Sequence, residues 1–120
     1  MDAIDNILNR VSARLLKEPY PSNEEMNKVY KAALRAPDHA WLRPSSFIQV
    51  TGDGIKELSK IFEEYAKTIP NIKDEIITKY KNAPFRAPMI IILVSTFKDH
   101  PKVPGIEQKL STAASAQNIL

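Results

Sequence analysis

The sequence predicts an α+β fold built as one domain. Hydrophobic residues recur at helical spacing in five segments, and two further segments, Phe47–Thr51 and Met89–Val94, have the β-branched and apolar composition of strands. The chain has 120 residues, enough for one domain at most. Hydrophobic residues make up 43% of it, a fraction that favours a globular fold over a disordered chain.

Two helices are expected before the first strand. The first should cover about residues 2–10, because its apolar residues fall on one face at helical spacing. The second should begin at Ser22, where Glu25 stands at the position that completes a capping box. Pro37 should terminate it, since proline cannot continue the helical hydrogen bonding.

Three more helices are expected after the first strand. Gly52, Asp53 and Gly54 are turn residues that should close the strand. A third helix then follows, marked by apolar residues at helical spacing from Ile55 to Tyr65. Asn71 is placed to cap a fourth, whose apolar residues from Ile72 to Tyr80 face inwards. The last helix should run from about Gly105 to the end of the chain.

The composition of the second strand indicates a sheet with more strands and covering elements than this chain contains. Met89–Val94 is apolar at every position, as expected of a strand covered on both faces. Two short strands do not make an independently stable sheet. The last helix also reaches Leu120 without a glycine cap or a polar end. We therefore expect the chain to be a fragment or truncated form of a larger α+β domain.

The composition excludes several classes of protein. The chain has no cysteine, which excludes disulfides, cysteine nucleophiles and thiolate metal sites, and His39 and His100 lack the spacing of a metal site. Its three glycines form no phosphate-binding glycine motif. The first residues are acidic where a signal peptide is basic, and no apolar run reaches membrane-spanning length. A cytoplasmic protein without a membrane partner is expected.

The charge pattern favours solvated helix surfaces over a nucleic-acid surface. The net charge is +3, and the lysines alternate with acidic residues along the helices. We expect no nucleic-acid partner on this ground. The pI of 9.2 nevertheless leaves a small basic helical module, binding nucleic acid or a protein partner, as an alternative.

The connection RAPDHAWLRPSSF, residues 35–47, has the composition of a ligand-binding loop. Its two prolines exclude a regular helix, and cations, an imidazole and an aromatic ring are concentrated in it. Trp41 is interpreted as a packing residue, with a substrate platform as the alternative. A solvated turn with a structural tryptophan is the simpler interpretation of the loop taken alone.

Arg10, Ser12 and Arg14 can form a phosphate site under one condition. On a helix, residues two apart point to nearly opposite sides. If the helix ends near Arg10 and the chain becomes extended, the three side chains line one side and suit a phosphate monoester. On sequence alone, solvated helix cations are the favoured interpretation.

Five segments together resemble the nitroreductase family of flavin enzymes, most closely its small, single-domain bacterial NAD(P)H nitroreductase branch. They occur in the family's order: NRVSARLL, PYPSNEEM, RAPDHAWLRPSSF, NAPFRAP and KVPGIEQ. Two positions depart from the pattern, because Val11 stands where the family usually has Arg, and Ser45 where it usually has Trp. Family members also continue for roughly half this length again, so the resemblance covers their N-terminal two-thirds.

The resemblance implies a nitroreductase-like α-β-α sandwich, with helices packed on a central mixed sheet. Residues 1–120 would form one such domain, incomplete at its C-terminus. FMN is the implied cofactor. In similar enzymes the segment after the first helix holds the flavin phosphate and ribityl chain, and Arg10, Val11 and Ser12 occupy the matching positions. The loop after the second helix reaches a flavin across a dimer interface, where Arg35 would supply positive charge and His39 a hydrogen bond.

The implied activity is an FMN-dependent oxidoreductase of the nitroreductase type, acting as a homodimer. NAD(P)H would reduce the flavin, and a small nitroaromatic or quinone-like acceptor would take the electrons. No catalytic side chain is expected, because the flavin carries the chemistry, and Glu107 and Gln108 are interpreted as helix-surface groups. The alternative within this family is a non-catalytic fragment of the flavin fold. Residues 1–120 alone are expected to bind flavin weakly or not at all, and to aggregate or remain partly unfolded.

Overall fold

The computed structural model describes residues 2–120 and confirms the α+β fold class. Its regular elements are the helices α1 (Ala3–Asn9), α2 (Asn23–Ala33), α3 (Asp53–Lys67), α4 (Asp74–Asn82) and α5 (Gly105–Ile119), and the strands β1 (Ser45–Thr51) and β2 (Met89–Ser95). β1 and β2 form a two-stranded sheet. They run antiparallel, since the amide of Thr96, just after β2, donates to the carbonyl of Pro44, just before β1, at 2.8 Å.

The chain forms two compact units. The α3–α4 unit comprises the residues up to Tyr20 and Gln49–Ile90, and the α2–α5 unit comprises Pro21–Ile48 and Ile91–Leu120. Among residues 2–120, no helix is both long enough and apolar enough to cross a membrane.

In the α3–α4 unit, α3 packs against α4 and the short 3-10 helix Ala83–Arg86 that follows it. Ile55 and Ala66 are buried on α3, and the hydroxyl of Ser59 donates to the carbonyl of Lys81 at 2.6 Å. α3 begins directly after Gly52, whose φ of 53° and ψ of −123° suit glycine and few other residues.

In the α2–α5 unit, α2 packs against α5. Met26 and Ala33 are buried on α2, and the side-chain amide of Asn118 donates to the carbonyl of Ala32 at 3.1 Å. The ring of Tyr30 stacks on that of Phe47, with centroids 5.6 Å apart.

The capping box predicted at Ser22 is present. The Ser22 hydroxyl accepts from the amide of Glu25 at 3.3 Å, and the Glu25 carboxylate accepts from the amide of Ser22 at 2.8 Å. The backbone amide of Ser22, followed by its hydroxyl, holds the pKa of Glu25 below its ordinary value. The start of α2 is therefore as the sequence predicts.

One element-level prediction is wrong. Asn71 does not cap the fourth helix, because it adopts a left-handed φ of 58° and α4 begins only at Asp74, after Lys73. β2 is partly exposed, with Leu93 at 36%, and within the described residues β1 is its one neighbouring strand. This agrees with the expectation that the two strands lack the neighbours that would bury Met89–Val94.

The apolar faces of α1 and of the C-terminal half of α3 are largely exposed. Ile4 and Ile7 on α1 are each 62% exposed, and Tyr65 on α3 is 60% exposed. α1 contributes no buried residue at all among those described. Helical periodicity correctly located these elements, but it did not show which apolar faces the chain itself covers.

Candidate functional site

The N-terminal segment, residues 10–20, meets the geometric condition for a phosphate site. α1 ends at Asn9, and Arg10 is already extended, with φ −64° and ψ 125°. Arg10 Nη1 donates to the hydroxyl of Ser12 at 3.4 Å, so these two side chains lie on the same side. Arg14 makes no side-chain hydrogen bond to either of them within residues 2–120.

The cations of this segment are available for a ligand. Every residue from 10 to 20 is exposed, and the side chain of Val11 is the most open of the large apolar ones. In the described part of the chain, neither Arg10 nor Arg14 pairs with a carboxylate. The amide of Leu16, bonded to the carbonyl of Arg86 at 2.8 Å, ties the segment to the rest of its unit.

The α2–β1 loop, residues 34–44, has a strained backbone. Ala40, Trp41 and Arg43 adopt positive φ values of 59°, 54° and 48°. For residues other than glycine this left-handed conformation is unfavourable and persists only where the surroundings enforce it. One such constraint is local, because the carboxylate of Asp38 accepts from the amide of Arg43 at 2.8 Å.

Three contacts anchor this loop and the start of β1 within the α2–α5 unit. His39 Nδ1 lies 2.8 Å from Glu107 Oε2 in the first turn of α5. The hydroxyls of Ser45 and Thr112 are hydrogen-bonded at 2.9 Å. Lys98 Nζ donates to the carbonyl of Leu42. The loop itself is therefore held at His39 and Leu42, and the start of β1 is held at Ser45.

A cavity of about 540 Å³ opens beside the loop. Arg35, Asp38 and Trp41 line it from the loop, and Ser111 and Ser115 line it from α5. The guanidinium of Arg35 has no carboxylate partner among residues 2–120. The cavity thus combines an unpaired cation, a carboxylate, an aromatic ring and hydroxyl groups, a set that can hold a planar polar ligand.

Trp41 is not the packing residue that the sequence suggested. Its side chain is 79% exposed, and the guanidinium carbon of Arg43 lies 5.7 Å from its ring centroid. The backbone at Trp41 is left-handed, with a φ of 54°, and the ring lies largely uncovered by the described residues. An exposed ring beside the cavity fits the second interpretation, a platform for a ligand.

Sequence reasoning missed the role of Gln108, which is 3% exposed and therefore not a helix-surface group. Its Oε1 accepts from the amide of Lys98 at 2.9 Å, and its Nε2 donates to the Lys98 carbonyl at 2.8 Å and to that of Val103 at 3.4 Å. Gln108 thereby fixes the connection before α5. The signal was in the sequence, because buried polar residues recur at helical spacing along α5. They are Gln108, Ser111, Thr112 and Ser115.

The structure brings the predicted site residues into two groups. Arg10, Val11 and Ser12 lie together in the N-terminal segment of the α3–α4 unit. Arg35 and His39 lie in the α2–β1 loop of the α2–α5 unit. Glu107, as predicted, is on the surface, and it is also the partner of His39.

The sequence matches the nitroreductase family over residues 7–120, and the chain belongs to that family. Curated relatives include "Putative NAD(P)H nitroreductase YdjA" from Escherichia coli K12, which is 38% identical over 115 residues. A "Putative NAD(P)H nitroreductase" from Haemophilus influenzae is 32% identical over 120 residues. The matches cover 96% and 99% of this chain, but 62% and 65% of those proteins, so the chain spans slightly less than two-thirds of their length.

Solved structures show the same fold. A nitroreductase-like family protein from Bacillus cereus superposes with a TM-score of 0.80 at 19% identity, over 99% of this chain and 63% of that one. A nitroreductase from Bacteroides fragilis, solved with bound FMN, gives a TM-score of 0.67 at 16% identity, over 97% of this chain and 60% of that one. At these identities the likeness establishes the nitroreductase-like fold.

Proposed function

We propose that the protein is an FMN-dependent NAD(P)H oxidoreductase of the nitroreductase type. The observation that carries the proposal is the N-terminal segment, where α1 gives way to an extended chain and the Arg10 guanidinium donates to the Ser12 hydroxyl while forming no ion pair within residues 2–120. Membership of the nitroreductase family and the names of the curated relatives support the same activity.

The residues of the N-terminal segment fit the phosphate of FMN. A phosphate monoester is anionic at neutral pH. Its binding site therefore needs cations and hydrogen-bond donors and does not need a carboxylate. Arg10 supplies a guanidinium and Ser12 a hydroxyl. The backbone amides of Val11 and Ser12 make no hydrogen bond within residues 2–120, so they are further donors. Val11 contributes through its backbone, because its side chain is apolar.

The α2–β1 loop supplies the second set of contacts in this proposal. Arg35 would place positive charge near the bound cofactor, and His39 would offer an imidazole nitrogen to it. When bound, FMN supplies the two-electron chemistry between NAD(P)H and a nitroaromatic or quinone-like acceptor. The side chains named here bind and orient it, and the contact with Glu107 holds His39 in place before the ligand arrives.

A homodimer is part of the same proposal, with Arg35 and His39 of one protomer serving the flavin of its partner. Large apolar side chains that this chain leaves open support it, for instance Leu8 at 76% and Leu15 at 60% exposure. Apolar surface of this kind is typical of an interface. We also propose that residues 1–120 belong to one nitroreductase-like domain and that the acceptor is a small molecule.

Flavin binding and turnover test the proposal directly. The full-length protein is titrated with FMN while flavin fluorescence is followed, and NADH and NADPH oxidation are then measured with nitroaromatic and quinone acceptors. We expect saturable FMN binding and oxidation that depends on added FMN. Sedimentation at micromolar concentration should give a dimer. No FMN binding, or oxidation that is independent of flavin, would contradict the proposal.

A further inference from the structure

The pair of His39 and Glu107 is the least expected contact of the α2–β1 loop. His39 Nδ1 lies 2.8 Å from Glu107 Oε2, and the two side chains are 56% and 44% exposed. The residues are 68 positions apart in the sequence, so they are not neighbours on one helix, and the contact depends on the tertiary structure. Glu107 sits in the first turn of α5, a rigid position from which to hold a loop side chain.

The surroundings of His39 set this contact apart from an ordinary surface pair. Most exposed ion pairs join two flexible side chains and are easily lost. His39 instead begins a 3-10 turn whose next two residues, Ala40 and Trp41, are left-handed. Asp38, directly before it, fixes the turn by accepting from the amide of Arg43 at 2.8 Å. The imidazole is thus held in two ways, through the fixed backbone turn that carries His39 and through the contact of its Nδ1 atom with Glu107.

The identity of the partner decides which ring nitrogen carries the proton. An ionised carboxylate can only accept a hydrogen bond, so Nδ1 must be the donor. In the neutral ring, Nε2 then bears the lone pair and accepts from an N–H or O–H group. In the protonated ring, Nε2 donates, while Nδ1 stays with Glu107. In both forms Nε2 is the atom left for a ligand.

We infer that Glu107 is a positioning residue that holds Nδ1–H of His39 and thereby presents Nε2 to the flavin. The inference rests on the proposed function, because it takes FMN as the ligand that His39 meets. The logic is that of carboxylates which orient a histidine through one nitrogen so that the other can bind. Glu107 itself does not touch the ligand in this account.

The test combines flavin affinity with the tautomer of His39. Dissociation constants for FMN are measured for Glu107→Ala, Glu107→Gln, His39→Ala and the double variant of His39→Ala with Glu107→Ala. The ¹⁵N shifts of His39 are recorded in the flavin-free protein, where they report directly which nitrogen is protonated. Glu75→Ala is the matched control, because Glu75 is an exposed glutamate in the first turn of α4 without an ion pair within residues 2–120.

We expect wild-type His39 to be protonated at Nδ1, and Glu107→Ala to increase the Nε2–H form. FMN affinity should fall about five- to tenfold in Glu107→Ala, the range of a coupled pair. The double variant should bind no more weakly than His39→Ala alone, since Glu107 acts through His39. Glu107→Gln should retain much of the affinity, because an amide oxygen still accepts from Nδ1–H. Glu75→Ala should match the wild type.

Several outcomes would overturn the inference. Among them are Nε2–H as the wild-type tautomer and an unchanged tautomer in Glu107→Ala. Losses that simply add in the double variant would show that Glu107 acts independently. If His39→Ala weakens FMN but Glu107→Ala does not, the inference fails while the proposed function stands. If the wild type does not bind FMN, the proposed function fails; if it binds FMN but neither His39→Ala nor Arg10→Ala changes the affinity, the assignment of these residues to the flavin fails and the inference fails with it. Should Glu107→Ala not fold, Glu107→Gln and the wild-type ¹⁵N shifts still decide.

Discussion

The two proposed cofactor-binding regions differ in how the chain holds them. The N-terminal segment is exposed throughout, and its proposed ligand groups are joined by a single hydrogen bond of 3.4 Å between Arg10 and Ser12. The α2–β1 loop is anchored to α5 by His39 and to the connection before α5 by Leu42, the start of β1 is anchored to α5 by Ser45, and the loop contains three left-handed residues.

Because of this difference, substitutions in the two regions should affect ligand affinity and folding stability differently. The exposed side chains of the N-terminal segment make few contacts within the described chain, so substitutions there should change ligand affinity and leave folding alone. The loop is held by contacts to other elements, so substitutions at these contacts should change both. The predictions below test this contrast, from the largest expected effect to the smallest.

Loss of the Gln108 side chain should destabilise the protein most. Gln108→Ala removes the partner of both the amide and the carbonyl of Lys98 inside a buried position. We expect the free energy of unfolding to fall by about 3 kcal/mol, because buried polar groups lose their hydrogen bonds. Urea denaturation measures this, with Gln117→Ala, an exposed glutamine on the same helix, as the control. A loss no greater than that of the control would contradict the anchoring role.

Arg10→Ala should affect ligand binding alone. A charge-assisted hydrogen bond to phosphate is worth about 2 kcal/mol, so FMN affinity should fall roughly thirtyfold. Affinity for riboflavin, which lacks the phosphate, should hardly change, and neither should the unfolding midpoint. Arg86→Ala is the control, because Arg86 is also exposed and unpaired with a carboxylate in residues 2–120. Equal losses for FMN and riboflavin would remove Arg10 from the phosphate site.

The sequence was most informative where a signal is local. The capping box at Ser22 and the end of α1 beside Arg10 depend on neighbouring residues, and both were predicted correctly. The Asn71 cap failed because Asn also favours the left-handed turn that it adopts here, and local pattern cannot separate the two roles.

The predictions that failed at the site depend on distant residues. Gln108 was assigned to a helix surface because its partners, Lys98 and Val103, lie on a connection whose path the sequence does not specify. The partner of His39 is equally distant, and the left-handed backbone of Trp41 is imposed by the anchored loop. Assignment of Arg10, Val11, Ser12, Arg35 and His39 to FMN stays a prediction.

The two capped helices provide a smaller test of the same contrast. Asp2 caps α1 by accepting from the amide of Ile4 at 2.7 Å, but α1 buries no residue within the described chain, so it can fray without wider unfolding. α2 buries Met26 and Ala33. Ser22→Ala should therefore lower the free energy of unfolding by about 1 kcal/mol, whereas Asp2→Ala should leave it unchanged.

The capping box also predicts a dependence on pH. The folded-state pKa of Glu25 is lowered, chiefly by the amide of Ser22, so its contribution to stability is present above its unfolded pKa and is lost as the pH falls through the folded one. Denaturation midpoints between pH 3 and 7 should therefore differ less between wild type and Glu25→Gln at the acidic end. A difference that is constant with pH would contradict the role of the carboxylate.

The smallest effect should come from the strain in the loop itself. Ala40 has a φ of 59°, a conformation that glycine adopts without steric cost. Ala40→Gly should therefore raise the free energy of unfolding by roughly 0.5 kcal/mol, because relief of strain slightly exceeds the greater entropy of the unfolded chain. Ala116→Gly, within α5, should have the opposite sign, since glycine weakens a helix by about 1 kcal/mol. Urea denaturation of both variants distinguishes the cases. If Ala40→Gly also destabilises the protein, the loop is not under the strain that its backbone angles indicate. FMN affinity completes the comparison. If contacts to other elements hold the loop, Ala40→Gly should leave the affinity for FMN unchanged. If the loop depends on its own backbone rigidity, the variant should bind FMN more weakly.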